Sequence, residues 1–285
     1  MLKLPRARIE NVSYALGDGA TPLFGLVRKA LEDLPEASGA CAVVAATFSN
    51  PERFPSLAVR AAAELGLPPS TPAFDVQMAC SAYPYAVYLA SRIAADVGGK
   101  VLVIDGDVQS RLVDPSDHAT GGIFSDAATC SIVSCGGEGE SAFAFLSSAD
   151  EALSCSESGP MRMDGMKVFT FVATKVRTFL QDFIDASVEG KPDAFVPHQA
   201  NAYMVRQLAK ALGLDDRLVA LDPALKNPGS CSIPLAIAKA RESASEKDSR
   251  PRRALIAGFG AGFSAAAAMV DVDVGGAVTK SHFCS

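Results

Sequence analysis

The chain has 285 residues, 49% of them hydrophobic and 20% charged. That is enough chain to bury a core without a disulfide or metal staple, and too apolar a composition for a disordered polypeptide. A net charge of −6 argues against nucleic acid or an anionic membrane as the main partner. No apolar run reaches the roughly 18 residues of a membrane span, and the charged first residues, Met1 to Arg8, have no apolar signal core behind them. The expectation is a cytoplasmic protein. Seven cysteines, an odd number with no CxxC pair, argue against a disulfide framework or a zinc site. Neither a metal nor a cofactor is expected.

In chain order, the apolar run Cys41–Phe48 reads as a buried strand. Pro55–Leu65 has helical spacing and ends at Gly66, a C-cap residue. Ala73–Gln77 is a second strand. Cys80 to about Val97 is a helix closed by Gly98-Gly99, and Lys100–Asp105 and Ala127–Val133 are strands. Met166 to about Ala186 reads as one long amphipathic helix. Then come a strand at Ala194–Pro197, a helix at Asn201–Leu212 and a helix from Ser232 to about Ser243. The strands Arg253–Ala257 and Ser264–Val274 flank the glycine-rich turn Gly258–Gly262. His282 and Cys284 sit in a tail given no chemical role.

Alternating strands and helices imply an α/β architecture. The order of elements repeats, which suggests a duplicated fold with halves at 1–145 and 160–285. The Gly-, Ser- and Glu-rich stretch Gly136–Pro160 reads as the linker between them.

Three residues combine into chemistry. Cys80 lies where a strand gives way to a helix, and the N–H groups and dipole of a helix start favour a thiolate. His198 lies in Pro197-His-Gln-Ala-Asn201 at another strand end, and Asn227 in Lys226-Asn-Pro-Gly-Ser230 before a helix. Singly, they read as a buried thiol, a histidine at a helix start and an ordinary turn residue. Together they supply a nucleophile, an imidazole and an amide donor. A backbone N–H of Gly262, with that of Cys80, would complete an oxyanion hole for acyl transfer through a thioester. Cysteine proteases of the papain type use Cys, His and Asn in that order. The residues around Cys80 lack their signature, and the chain has no Trp to flank the Asn. Asp105 and Asp107, on either side of Gly106, read as turn and interface residues rather than metal ligands.

Five segments, in order, carry a family resemblance. They are Ala73-Phe-Asp-Val-Gln-Met-Ala-Cys-Ser-Ala82, Pro115-Ser-Asp-His-Ala-Thr120 with Ile123-Phe-Ser-Asp126, Phe195-Val-Pro-His-Gln-Ala-Asn201, Asn227-Pro-Gly-Ser230, and Gly258-Phe-Gly-Ala-Gly-Phe263. With them the chain resembles the β-ketoacyl-acyl-carrier-protein synthase III group of the thiolase superfamily. The resemblance implies a duplicated five-layer αβαβα fold and a dimer, homodimeric or heterodimeric. It implies Cys80 as the acyl-accepting cysteine and His198 with Asn227 as the pair that binds the malonyl thioester carbonyl. Gly262 would be the second oxyanion donor, and Phe54 would cross the dimer interface into the partner's acyl pocket. Met78, Tyr83, Phe124 and Phe169 are the other pocket residues expected.

The implied activity is decarboxylative condensation of a Cys-bound acyl group with a malonyl thioester. Two alternatives share the fold: an acyltransferase that delivers the acyl group to an alcohol or amine, and a non-condensing partner subunit. The chain also departs from the family. It resembles an N-terminally short, atypical member that lacks the usual first strand and the segment whose Trp stacks on coenzyme A. His118 stands where a second, arginine stacker is usual, and Tyr203 replaces another arginine. These changes favour substrates on an acyl carrier protein over acyl-CoA. Carrier proteins are acidic, so Arg111, Arg206 and Lys210 are the candidate docking cations.

Overall fold

The computed structural model describes residues 1–156, 159–187, 190–244, 251–273 and 282–283; Cys284 and the side chain of His282 lie outside the described residues. The strands are β1 (Leu2–Leu16), β2 (Ala42–Ala46), β3 (Ala73–Val76), β4 (Val101–Asp107), β5 (Ala127–Asp150), β6 (Leu153–Ser154), β7 (Arg162–Met163), β8 (Ala194–Pro197), β9 (Pro251–Gly260), β10 (Gly262–Asp273) and β11 (His282–Phe283). The α-helices are α1 (Leu23–Glu32), α2 (Leu57–Glu64), α3 (Ala82–Val97), α4 (Gly165–Phe171), α5 (Arg177–Asp185), α6 (Ala202–Ala211) and α7 (Ser232–Ser243). The sheet runs β3-β2-β4-β5-β1-β10-β9-β8, with β11 beside β1, while β6 and β7 form a separate small ribbon.

Three apolar clusters define the layers. Leu23, Leu26 and Val27 of α1 and Leu57 of α2 pack on Leu102, Ile104 and Ile132. On the opposite face of the same strands, Val44, Val103 and Val133 meet Tyr83, Val87 and Ala90 of α3. That central cluster also holds Ile233, Leu235 and Ile237 of α7 against Val196, Ile256 and Val270. The other face of the second group of strands, with Phe195, Leu255 and Met269, is covered by Val168, Leu180, Met204 and Leu208 from α4 to α6. Helix, sheet, helix pair, sheet, helix: this is the five-layer thiolase-like α/β fold. It also explains the sequence pattern. Strands buried on both faces read as unbroken apolar runs, and a helix between two sheets is apolar nearly all round.

Three expectations are corrected and one helix is new. The first strand is present: β1 pairs with β5 along its length and with β10. Its buried side includes Leu4, Ala7, Ile9, Val12 and Tyr14, but register shifts at Pro5/Ala7 and Ile9/Asn11 break the alternation that would have exposed it. Helix α1 was likewise not read from the sequence. The Gly136–Pro160 stretch is not a linker. Strand β5 runs through it, bending at Gly136 and Gly137 (φ +147° and +88°), with Ala127–Val133 on β4 and Ala142–Ser147 on β10. One strand thus spans both groups of strands in the sheet. Finally, the helix expected over Met166–Ala186 contains a π-turn, Val172–Val176, between α4 and α5.

Candidate active site

Between β3 and α3 the chain makes a tight turn, Ala79–Ser81, and Cys80 sits in it, 5% exposed. Ala79 has φ +42°, a left-handed conformation that costs a non-glycine residue about 1–2 kcal/mol. Among the described residues only one other non-glycine residue has positive φ, and it is Lys226, which precedes Asn227. Backbone strain thus stands directly before two of the three candidate catalytic residues, as it does at many functional sites. Strand β9 passes close to Cys80 because two of its residues lack a side chain. A Cβ on Gly258 would lie 2.8 Å from Ser81 Cα, and one on Gly260 would lie 3.0 Å from Cys80 Cβ and 3.3 Å from its Sγ.

Burial pushes the Cys80 thiol up to about 11, and the negative charges of Asp107 and Asp105 add to that. The N–H groups of Ala261 and of Cys80 itself pull the other way without prevailing. The expected helix-start thiolate is therefore not the resting state: desolvation outweighs the local dipoles. The N–H that the β9–β10 turn brings to the sulfur is that of Ala261, not that of Gly262 one residue on. Both residues line the cavity at Cys80.

His198 follows β8 and is 2% exposed; its N–H donates to Ala257 O at 2.7 Å. Nδ1 lies 2.9 Å from Ser232 Oγ, the first residue of α7. Ser232 Oγ accepts the Gln199 N–H at 3.1 Å. Its own proton is then available to Nδ1, an assignment that leaves the ring proton on Nε2. Burial lowers the imidazole to about 4, against a smaller opposing effect from the backbone of Gly229, so the ring is neutral at physiological pH. Phe259 meets it edge-on, with centroids 5.6 Å apart.

Asn227 is held by its backbone. Its N–H donates to Ile123 O at 3.0 Å, and its carbonyl accepts from Ser125 N at 3.0 Å and Gln109 Nε2 at 3.1 Å. Oδ1 takes the Gly229 N–H at 3.0 Å, which leaves the NH₂ end for a ligand. Ser232, Ala261 and Gln109 support the site and were not read from the sequence. Ser232 alone left a trace there, as a polar residue opening a helix five residues after Asn227.

Cys80, His198 and Asn227 line one cavity of about 150 Å³, with Phe124, Phe259 and Gly260. Past Cys80 and Phe124 lies a larger cavity of about 1290 Å³, bordered by Met78, Arg111, Leu112 and Ala261. On the other side, Asn227, Ala200 and Asn201 also border a 270 Å³ cleft beside Arg206. Cys80 and Phe124 line both the small and the large cavity, and Asn227 lines both the small cavity and the cleft.

Of the pocket residues expected from the sequence, Met78 and Phe124 border the large cavity. Tyr83 does not. It is fully buried on the central face of α3, with its hydroxyl 2.9 Å from Ser131 Oγ, because one residue further along a helix turns a side chain by about 100°. Phe169 lies outside both cavities at Cys80, stacked on Tyr203 beside a separate depression. Phe54 is 85% exposed next to Arg53, which borders the large cavity. Arg206 and Lys210 share the exposed face of α6, whereas Arg111 sits apart from them with its guanidinium on Ala20 O.

Asp105 and Asp107 are buried strand residues, not turn residues. Asp107 Oδ1 accepts from Thr47 Oγ1, Phe48 N, Ser49 N and Ser49 Oγ, and Asp105 Oδ1 accepts from Ser230 Oγ at 2.6 Å. Burial pushes Asp107 up to about 6 and Asp105 well above the usual carboxylate range. Among the described residues, no three His, Cys, Asp or Glu side chains group as a metal site requires.

Residues 74–151 match the model of 3-oxoacyl-[acyl-carrier-protein] synthase III, and residues 189–272 match that of its C-terminal region. The chain is 32% identical to β-ketoacyl-[acyl-carrier-protein] synthase III 2 of Deinococcus radiodurans, over 92% of this chain and 83% of that one. It is 30% identical to β-ketoacyl-[acyl-carrier-protein] synthase III of Neisseria meningitidis, over 78% and 74%. Its fold superposes on a 3-oxoacyl-(acyl-carrier protein) synthase from Burkholderia xenovorans LB400 with a TM-score of 0.87, at 24% identity over 99% and 98% of the two chains. With the priming β-ketosynthase of the R1128 polyketide pathway the TM-score is 0.78, at 24% identity over 96% and 98%. The cysteine turn falls within the first matched region, and the His198 strand end and Asn227 turn fall within the second, so the chain belongs to the 3-oxoacyl-[acyl-carrier-protein] synthase III family.

Proposed function

We propose that the chain joins an acyl group held on Cys80 to a malonyl thioester, with loss of CO₂. The observation that carries this reading is the convergence of Cys80, His198 and Asn227 on one cavity. In the first half-reaction the Cys80 sulfur attacks an acyl thioester. The oxyanion lies between the N–H groups of Cys80 and Ala261, the donor thiol departs with the cysteine proton, and an acyl-Cys80 thioester remains. The high thiol value fits a nucleophile that loses its proton only as the attack proceeds.

In the second half-reaction the malonyl carboxylate leaves as CO₂. The electron pair moves onto the thioester oxygen, which accepts hydrogen bonds from His198 Nε2–H and the Asn227 amide. The enolate carbon then attacks acyl-Cys80; a C–C bond forms, the C–S bond breaks, the departing thiolate takes up a proton from solvent and a β-ketoacyl thioester leaves. A neutral imidazole with its proton on Nε2 suits donation to that oxygen. Removing one donor of this kind costs about 100- to 1000-fold in rate.

Carrier-bound substrates are favoured over free acyl-CoA. No Trp is present to stack on adenine, and the exposed Arg206, with Lys210 on the same face of α6, borders the cleft that Asn227 also lines. The working unit is a homodimer in the cytoplasm; an exposed Phe54 beside the large cavity is the kind of surface a second subunit covers. The roles of acyl pocket and docking face fall to Met78 and Phe124 and to Arg206 and Lys210.

Intact-protein mass, after incubation with acyl-CoAs and matched acyl-carrier proteins, tests the first half-reaction beside a Cys80→Ala control. An acyl adduct on the wild type alone, formed faster from the carrier protein, is expected. An equal rate from CoA overturns the donor preference. An adduct without CO₂ release from malonyl-carrier protein favours simple acyl transfer, and no adduct from either donor favours a non-condensing subunit.

A further inference from the structure

Two buried serines sit behind the oxyanion site with no role so far. Ser81 follows the nucleophile and is 0% exposed; Ser264 follows the β9–β10 turn and is 2% exposed. Their hydroxyl oxygens are 2.6 Å apart. Ser81 Oγ also lies 2.9 Å from Met78 O, across the strained residue Ala79. Ser264 Oγ also lies 2.8 Å from Ala261 O, across the turn that presents the Ala261 N–H.

The protons do not suffice for all three contacts. Each hydroxyl carries one, so two protons serve three hydrogen-bonded gaps. If Ser81 donates to Met78 O, Ser264 closes the bridge by donating to Ser81 and releases Ala261 O. If Ser264 donates to Ala261 O, Ser81 closes the bridge by donating to Ser264 and releases Met78 O. The bridge itself is the contact common to both arrangements. It ties the turn that carries the Cys80 sulfur to the turn that carries the Ala261 N–H.

We infer that the Ser81–Ser264 hydroxyl bridge positions the oxyanion site: it fixes the Ala261 N–H relative to Cys80, and the two hydroxyls act as one unit. Both serines act through the two turns, and Ser264 also borders the large cavity. The inference rests on the reading of Cys80 as an acyl-accepting nucleophile. It predicts that loss of either hydroxyl slows attack on a carbonyl, where an oxyanion must be held, but not attack on an alkyl halide, where none forms.

The test compares Ser264→Ala, Ser81→Ala, the double variant and Ser264→Thr with wild type. Acylation by p-nitrophenyl acetate and alkylation by iodoacetamide are both followed at Cys80 by intact mass. The readout is the ratio of the two rates, which a general loss of folded protein does not move. Each alanine variant should lower that ratio about tenfold. The double variant should fall no further than the worse single, and Ser264→Thr, which keeps the hydroxyl, should stay within about threefold of wild type. An unchanged ratio in both single variants overturns the inference, as do losses that multiply in the double variant or a fall in both rates together. Wild-type Cys80 that is alkylated but never acylated overturns the underlying site reading as well, so the two failures are told apart.

Discussion

Gly260→Ala is the most direct probe of how β9 and the nucleophile turn fit together. The added methyl would sit 3.0 Å from Cys80 Cβ and 3.3 Å from Sγ, well inside the 3.5–4.0 Å at which carbon atoms pack. Neither side can yield cheaply. Strand β9 is hydrogen-bonded to β10 at Gly260 and to β8 as far as Ala257, and a Cβ on Gly258 would likewise lie only 2.8 Å from Ser81 Cα, so the two segments are in close contact there too. Gly260 also has φ +148°, a region left almost wholly to glycine. Overpacking costs about 1–3 kcal/mol and the strained backbone about as much again, so the variant should lose about 2–6 kcal/mol. For a chain of this size that is a fall in Tm of roughly 5–15 °C. Differential scanning calorimetry reads the stability, and intact mass after brief exposure to an acyl donor reads the nucleophile, which should be acylated more than about tenfold more slowly once the sulfur is displaced. Gly39→Ala is the control, since a Cβ there meets nothing within 4 Å. A Gly260→Ala protein with wild-type Tm and wild-type acylation would refute the account of close approach.

Other outcomes follow from the same geometry. Because burial holds the Cys80 thiol near 11, its alkylation by iodoacetamide should accelerate steadily from pH 7 to 10; a plateau near neutrality would mean a preformed thiolate. Asn227→Asp should leave acylation of Cys80 intact and slow CO₂ release about 100- to 1000-fold, checked with malonyl-carrier protein. Ser232→Ala removes the partner of His198 Nδ1 and should slow that step about tenfold, again sparing acylation. His198 titrates near 4 when folded and near 6.5 when unfolded, so the unfolded chain binds the extra proton between those values. Its contribution to stability should decline as pH falls from about 6.5 to about 4, by about 3 kcal/mol, and denaturant titrations of His198→Asn should show a flatter slope there.

The sequence was legible where pattern and chemistry coincide. The strands buried on both faces stood out as short apolar runs, α7 was read to the residue at its start, and three strand-end or turn positions gave Cys80, His198 and Asn227. It was illegible where the determining contact is distant. Bulges hid β1. The glycines of Gly136–Gly139 looked like a break and proved to be a bend in one strand. The thiol's protonation could not be judged from its own turn, because it is set first by burial under distant elements and then by Asp107 and Asp105 reaching it from β4. Gly262 drew attention as the turn's last glycine, yet the turn aims the preceding peptide's N–H at the sulfur.

The placement of β1 has a further consequence, for synthesis. Arg8 and Ile9 pair with Asp271 and Val272, so the first strand laid down waits beside β5 for almost the last one described. The end of β5 and Asp271 are roughly 120 residues apart, so at about 5–20 residues per second the interval is on the order of 6–25 seconds. Throughout it one edge of a long, apolar strand is unpaired in the nascent chain, the kind of edge that joins neighbouring polypeptides. Co-translational capture of that edge, rather than the final stability of the fold, sets the window in which this protein is most prone to misassembly.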